Sequence, residues 1–204
     1  MVQSTAFLEK VANLFIEQGA KTLTMDDIAR EFGMSKKTLY QMYENKEALL
    51  EEILEYKLNE LISRIKDQHG NMEDAIDRMF CRDKMIEKAT QTNNSVFIIQ
   101  LMKYYPSIFN SHMRGFSERF SEVLEDNIDR GRRQGLYRED FDATLFSRIF
   151  FQLAMSYDNS PFIDIDKVER KEYMDATLMF FMHAITTEKG KEKLSEYKNL
   201  KSKE

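Results

Sequence analysis

The stretch TMDDIAREFGMSKKTLYQMY, residues 24–43, holds two helix starts separated by a glycine. Thr24 followed three residues later by Asp27 has the form of an N-cap with an acidic residue at N3, which satisfies amide hydrogens that a helix start leaves unpaired. Met25, Ile28, Ala29 and Phe32 then share one helical stripe that stops at Gly33, so a helix is predicted over about 25–32. Ser35 can cap a second helix over about 36–43. Only Gly33, Met34 and Ser35 lie between the two, which makes the pair a helix-turn-helix candidate.

Working outward, Leu8, Val11, Ala12 and Phe15 fall at i, i+3, i+4 and i+7, and Gly19 is placed to stop that helix, about 4–18. Asn45 can cap a fourth helix that opens at Lys46, carries Leu49, Leu50, Ile53, Leu54 and Leu61, and runs to about 65. Beyond His69 and Gly70 the helices lengthen, over about 72–90, 93–104, 106–134, 141–157 and 166–187. Pro106 suits a first turn, Gly135 a C-terminal cap, and Pro161 a loop from Asp158 to Asp166. A frayed charged tail is expected after Gly190. The expected fold class is all-α with about nine helices, divided into residues 1–46, a connecting helix 46–65, and residues 66–204.

Composition agrees. Seven Gly and two Pro in 204 residues are too few for a turn-rich β fold or a βαβ series. With 42% hydrophobic and 32% charged residues, a sizeable core is available and wholesale disorder is excluded. Cys81 is the single cysteine, so no intramolecular disulfide forms, and a reducing cytoplasm is the expected location. Met1 to Lys10 lacks the basic and apolar regions of an export signal, and runs such as Leu178 to Met182 fall far short of the roughly 18 apolar residues of a membrane span. His69, His112, His183 and Cys81 lack metal-ligand spacing, and no nucleophile elbow or phosphate loop is present. Neither a metal, a cofactor nor an enzymatic activity is therefore expected. Asp158, Asp164 and Asp166 read as solvated loop carboxylates, and Arg130, Arg132 and Arg133 as complements to a helix dipole.

Thirty basic against 35 acidic residues give net −5, which argues against coating nucleic acid by bulk charge and leaves only a local site. On the second helix of the pair, Leu39, Met42 and Tyr43 share the packing arc, while Lys37, Thr38, Tyr40 and Gln41 cover the opposite one, with Lys36 at the boundary. That outward set can reach phosphate oxygens and base edges in a major groove. Lys46, with the amides of the fourth helix start, could hold a phosphate. The same lysines also suit an ordinary solvated face, since residues 1–46 carry six basic and six acidic side chains.

Residues 8–54 resemble the DNA-binding region of the tetracycline-repressor (TetR) family of bacterial regulators. The resemblance is carried without gaps by Ala12, Phe15, Gly19, Thr24, Asp27-Ile28-Ala29, Gly33-Met34-Ser35, Thr38-Leu39-Tyr40, Tyr43, and Asn45-Lys46-Glu47 with Leu49. Met34, Met42 and Tyr43 depart from the family's usual side chains and bear on base preference. The resemblance implies a homodimer that sets its recognition helices into successive major grooves of double-stranded DNA. Tyr40, Lys46 and Thr24 would then contact phosphates, and Lys36, Lys37, Thr38 and Gln41 would read or approach bases. Repression is the mode of control it favours.

The likeness extends more weakly to Gly131, Gly135, Leu136-Tyr137-Arg138 and Asp140, and to Thr186-Thr187-Glu188-Lys189-Gly190. It implies a C-terminal domain that dimerises through helices 141–157 and 166–187, using Ile149, Phe150, Leu153, Met174, Leu178 and Phe181. The aromatic and Met side chains at Phe97, Met102, Tyr105, Phe109, Met113, Phe146 and Phe150 suit an adaptable pocket for a small hydrophobic or aromatic effector. A helical carrier of apolar ligands without DNA binding is the alternative.

Overall fold

The computed structural model describes residues 5–80, 94–164 and 166–201. These residues form ten α-helices: α1 (Thr5–Gln18), α2 (Met25–Glu31), α3 (Lys36–Met42), α4 (Lys46–Gly70), α5 (Ala75–Phe80), α6 (Asn94–Tyr104), α7 (Pro106–Arg133), α8 (Ala143–Asn159), α9 (Arg170–Ile185) and α10 (Glu188–Lys201). Among the described residues no helix is long and apolar enough to cross a membrane. The remainder of the helix expected over 72–90, with Cys81, lies outside the described residues. The chain forms two compact units, one of residues 5–61 with 94–116 and one of residues 62–80 with 117–164 and 166–201.

In the first unit α1 buries the stripe Leu8, Val11, Ala12 and Phe15. The α2 and α3 helices pack on each other, and Phe7 places its ring against Phe32, 4.9 Å between centroids, and stacks on Tyr43 at 6.4 Å. Residues far along the chain join this unit: α6 packs on α1, with the Phe15 and Phe97 rings 6.2 Å apart. At the start of α2 the capping box is complete, the Asp27 amide donating to Thr24 Oγ1 at 3.2 Å and the Thr24 amide to Asp27 Oδ2 at 3.1 Å. Gly33 ends α2 in the left-handed region, φ +60°.

The hydrogen bonds from Thr24, and the nearby Arg30 guanidinium, hold the Asp27 carboxyl below the usual carboxylate range. Because the folded value is depressed, this contribution is complete above the unfolded value and is lost as pH falls through the folded one. Thr24→Ala is expected to destabilise the first unit by about 1 kcal/mol. A lower urea midpoint at unchanged m-value would show this, whereas an unmoved midpoint would mean the box contributes nothing.

The second unit is built around a knot between the end of α7 and the end of α9. Gly135, at φ +68°, turns the chain after α7, so that the Leu136 and Tyr137 amides both donate to the Gly131 carbonyl, at 2.8 and 3.2 Å. Tyr137 then pairs antiparallel with Thr186, the Arg138 amide donating to Ile185 O and the Thr187 amide to Leu136 O. The Tyr137 ring covers Gly131 so closely that a Cβ there would sit 2.0 Å from it. The Leu136 carbonyl similarly fills the space a side chain at Gly190 would need. Around this knot Ile76, Leu124, Ile128, Phe150, Phe181 and Met182 form the core.

Several expectations are corrected by packing. The α4 helix continues to Gly70 rather than ending near 65, because Ile62 is still buried and no breaker intervenes before the glycine. The α9 helix starts at Arg170 rather than 166, since Asp164 organises a turn that accepts the Lys167 and Val168 amides on its carbonyl and the Asp166 amide on its side chain. The tail is helical: the Thr187 hydroxyl accepts the Gly190 amide, Leu194 is buried, and Lys193 pairs with Asp74 at 2.5 Å. Arg132 bonds the carbonyls of Arg138 and Phe141 and lies over the Phe141 ring, and Arg130 bonds Glu73 O. Both arginines tie loops down by named hydrogen bonds, beyond complementing a dipole.

Candidate nucleic-acid interface

The α3 helix is started by Ser35, whose Oγ accepts the Thr38 amide at 3.1 Å, and is anchored by Leu39, which is fully buried. With Leu39 buried and Met42 half-buried on one side, the opposite face of this short helix is left outward. Lys36, Lys37, Thr38, Tyr40 and Gln41 are all exposed, Tyr40 by 49%. The side chains of Lys37, Tyr40 and Gln41 have no hydrogen-bond or ion-pair partner among the described residues. Lys36 instead pairs with Asp26 of α2, and the Thr38 hydroxyl bonds the Ser35 hydroxyl at 2.8 Å. An exposed pair of this kind is worth about 0–1 kcal/mol, so Lys36 can exchange Asp26 for another acceptor at little cost. Tyr43 faces the core, where burial and the nearby Glu52 carboxylate push its phenol pKa up.

Two of the expected phosphate contacts are engaged within the protein. The Thr24 hydroxyl donates to Asp27 Oδ2 at 2.5 Å, and both Asp26 and Asp27 occupy the first turn of α2. Lys46 is half-buried; its ammonium donates to the Lys21 carbonyl at 3.3 Å and lies 5.9 and 6.0 Å from the ring centres of Phe15 and Tyr105. Burial lowers its pKa, against the opposing pull of Glu47 and Asp27. Asn45 caps α4 by accepting the Ala48 amide at 2.8 Å.

Lys21 was not singled out from sequence, where it is one lysine in a turn. Its partners come from α6: the Lys21 amide donates to Gln100 Oε1 at 2.9 Å, and its ammonium donates to the Tyr104 hydroxyl at 3.4 Å while lying 4.5 Å from that ring's centre. No local sequence signal predicts a bond across 79 positions.

Of the side chains assigned to an effector pocket, Phe97, Met102, Tyr105, Phe109 and Met113 belong to the first unit and Phe146 and Phe150 to the second. Phe97, Phe109 and Phe150 are buried. A cavity of about 360 Å³ within the second unit has a different lining: Lys66, His69, Gly70, Arg78, Glu122, Val123 and Asp126. Arg78 is buried there, its Nε donating to Met72 O and its Nη1 to Asp126. Of these, the sequence points to His69 and Gly70, as an isolated histidine and a break between helices.

The expected dimer residues divide by exposure. Phe150, Leu178 and Phe181 belong to the core of the second unit, with Phe150 and Phe181 rings 4.7 Å apart. The reason is that α8 and α9 pack on each other and use these side chains as their seam. Leu153 and Met174 are half-buried. Ile149 is exposed by 42%, and Leu145 and Phe180, by 54% and 66%, are exposed apolar side chains on the outward stripes of the same two helices.

Comparison with known proteins gives a consistent result. Residues 7–53 match the model for bacterial regulatory proteins of the tetR family. The HTH-type transcriptional regulator NfxB of Pseudomonas aeruginosa is 25% identical over 134 residues, 64% of this chain and 68% of its own. The HTH-type transcriptional repressor KstR2 of Rhodococcus jostii is 25% identical over 147 residues, 71% of this chain and 72% of its own. A TetR transcription regulator from Haloarcula marismortui shares the fold with a TM-score of 0.71 at 22% identity, over 89% of this chain and 96% of that one. Residues 7–53 thus form a helix-turn-helix segment that matches the tetR-family model, and the chain as a whole is similar in sequence to HTH-type transcriptional regulators and shares its all-helical fold with a solved TetR regulator.

Proposed function

We propose that this regulator is a homodimeric repressor that sets α3 of each protomer into successive major grooves of a palindromic operator and is released by a small apolar or aromatic effector. In this reading residues 1–46 bind DNA, residues 46–65 connect, and residues 66–204 sense and dimerise. The observation that carries the DNA-binding part is the outward face of α3, where Lys37, Tyr40 and Gln41 stand exposed without hydrogen-bond or ion-pair partners among the described residues while the buried Leu39 roots the helix. Repression is supported by the likeness to a named repressor. An apolar effector is supported by the Met and aromatic side chains of α6, α7 and α8. Dimerisation is supported by the apolar side chains left outward on α8 and α9, where a four-helix interface between two copies would cover them.

Roles on α3 separate by what each contact can read. Lys37→Ala or Gln41→Ala is expected to relax preference at one or two base pairs, by about 1–3 kcal/mol each. Tyr40→Phe and Lys46→Ala are expected to weaken all duplexes alike, since a phosphate carries no sequence information. Selection of sites from a randomised duplex library, followed by titration of the recovered sites, measures both. Uniform loss across sequences for the Lys37 variant would make it a phosphate contact. An inverted repeat spaced by about 34–36 Å, or a multiple, is the expected consensus.

A further inference from the structure

The Lys46 ammonium lies against the backbone of Lys21, and neither lysine has a carboxylate within ion-pair distance among the described residues. Lys46 holds the Lys21 carbonyl, and Lys21 holds the Tyr104 hydroxyl. Carbonyls and aromatic rings orient a cation without cancelling its charge, whereas the exposed Lys36, Lys167 and Lys191 each have an acidic partner. The backbone of Lys21 is held on both sides: Gln100 takes its amide and Lys46 its carbonyl. Gln100 is itself seated by Gly19, which at φ +86° leaves the space its own side chain would need to the Gln100 amide group, 2.5 Å from a Cβ built there. Any side chain at Gly19 would displace it.

We propose that Lys21 is a DNA-phosphate contact beside Lys46, and that Gln100 and Tyr104 of α6 position it. The proposal rests on the reading of Lys46 as a phosphate contact. It gives residues 94–104, part of the segment that bears candidate effector residues Phe97 and Met102, a direct hydrogen-bonded route to the DNA-binding helices through the turn between α1 and α2. The lowered pKa of the Tyr104 phenol, caused first by its hydrogen bond from Lys21, is consistent with that contact. Gln100 acts here as a positioning residue, through Lys21.

The test uses the full chain and a fluorescently labelled duplex of random sequence, with anisotropy titrations between 50 and 200 mM salt. Each phosphate contact contributes about 0.9 to the slope of log affinity against log salt, so across this fourfold range each contact removed spares about 3.5-fold of the affinity lost. Lys21→Gln is expected to reduce the slope by that amount per protomer bound, and Lys167→Gln to leave it unchanged. Gln100→Met keeps the packing on Gly19 but removes the acceptor; it should weaken binding severalfold in the wild type and hardly at all in the Lys21→Gln background. Thermal unfolding of each variant verifies folding. If Lys46→Gln lowers the slope and Lys21→Gln does not, the inference is wrong while the reading of Lys46 stands. If neither lowers it, both fail together. Additive effects of Gln100→Met and Lys21→Gln would overturn the positioning role and leave Lys21 as a contact.

Discussion

Replacing Ile149 and Phe180 together by glutamate is expected to leave a folded monomer whose operator affinity has fallen by about 10²–10⁴, because each half-site then binds without the effective concentration that a linked second half supplies. The expectation follows from exposure. These two side chains are 42% and 66% open in the single chain, so charging them costs little internal packing, yet two like-charged faces cannot close a helical interface. Phe150 and Leu178 would not serve, since charging either would break the core of the second unit before it touched a dimer. Sedimentation gives the mass, circular dichroism the helix content, and titration with the selected operator the affinity. A double variant that remained dimeric would move the interface off α8 and α9. A monomeric wild type would remove the dimer altogether.

The second large effect is expected at the knot of the second unit. Tyr137→Ala should cost about 3–5 kcal/mol, the range for emptying a buried aromatic site. The side chain is 1% exposed, its hydroxyl donates to Ala75 O at 2.9 Å, and Asn127 donates to the same carbonyl at 3.0 Å. Removing the ring therefore leaves a cavity and takes away one of the two side-chain donors to that carbonyl. Gly131→Ala should also destabilise, by about 1–3 kcal/mol, because the added methyl meets the ring. Since both act on one contact, their effects should be strongly non-additive: once Tyr137 is alanine, the methyl at 131 has room. Urea unfolding of the two single variants and the double variant measures the coupling. Simple additivity would mean that the ring does not pack on Gly131.

The DNA-binding half was legible because its determinants are local. A capping box needs only residues three apart, a buried stripe recurs every three or four residues, and a left-handed glycine ends a helix wherever it falls. Thr24, Ser35, Leu39 and Gly33 could thus be placed from sequence, along with the outward turn of Lys37, Tyr40 and Gln41. The same logic missed the end of α4 and the helicity of α10, where continuation depends on what a few side chains meet across space. Leu194 and Lys193 look like part of a charged tail until Asp74 and the core are brought to them.

Sequence alone determined the helical class and the outward face of α3, since hydrophobic period, caps and composition act through near neighbours in the chain. Tertiary structure alone decided which apolar residues of α8 and α9 are core and which remain outward, because a helix stripe wider than its seam does not say where the partner helix lies. It also decided that Gln100 reaches Lys21 and that Tyr137 closes on Gly131. These contacts require two chain segments to converge, and neither segment carries a pattern that names the other.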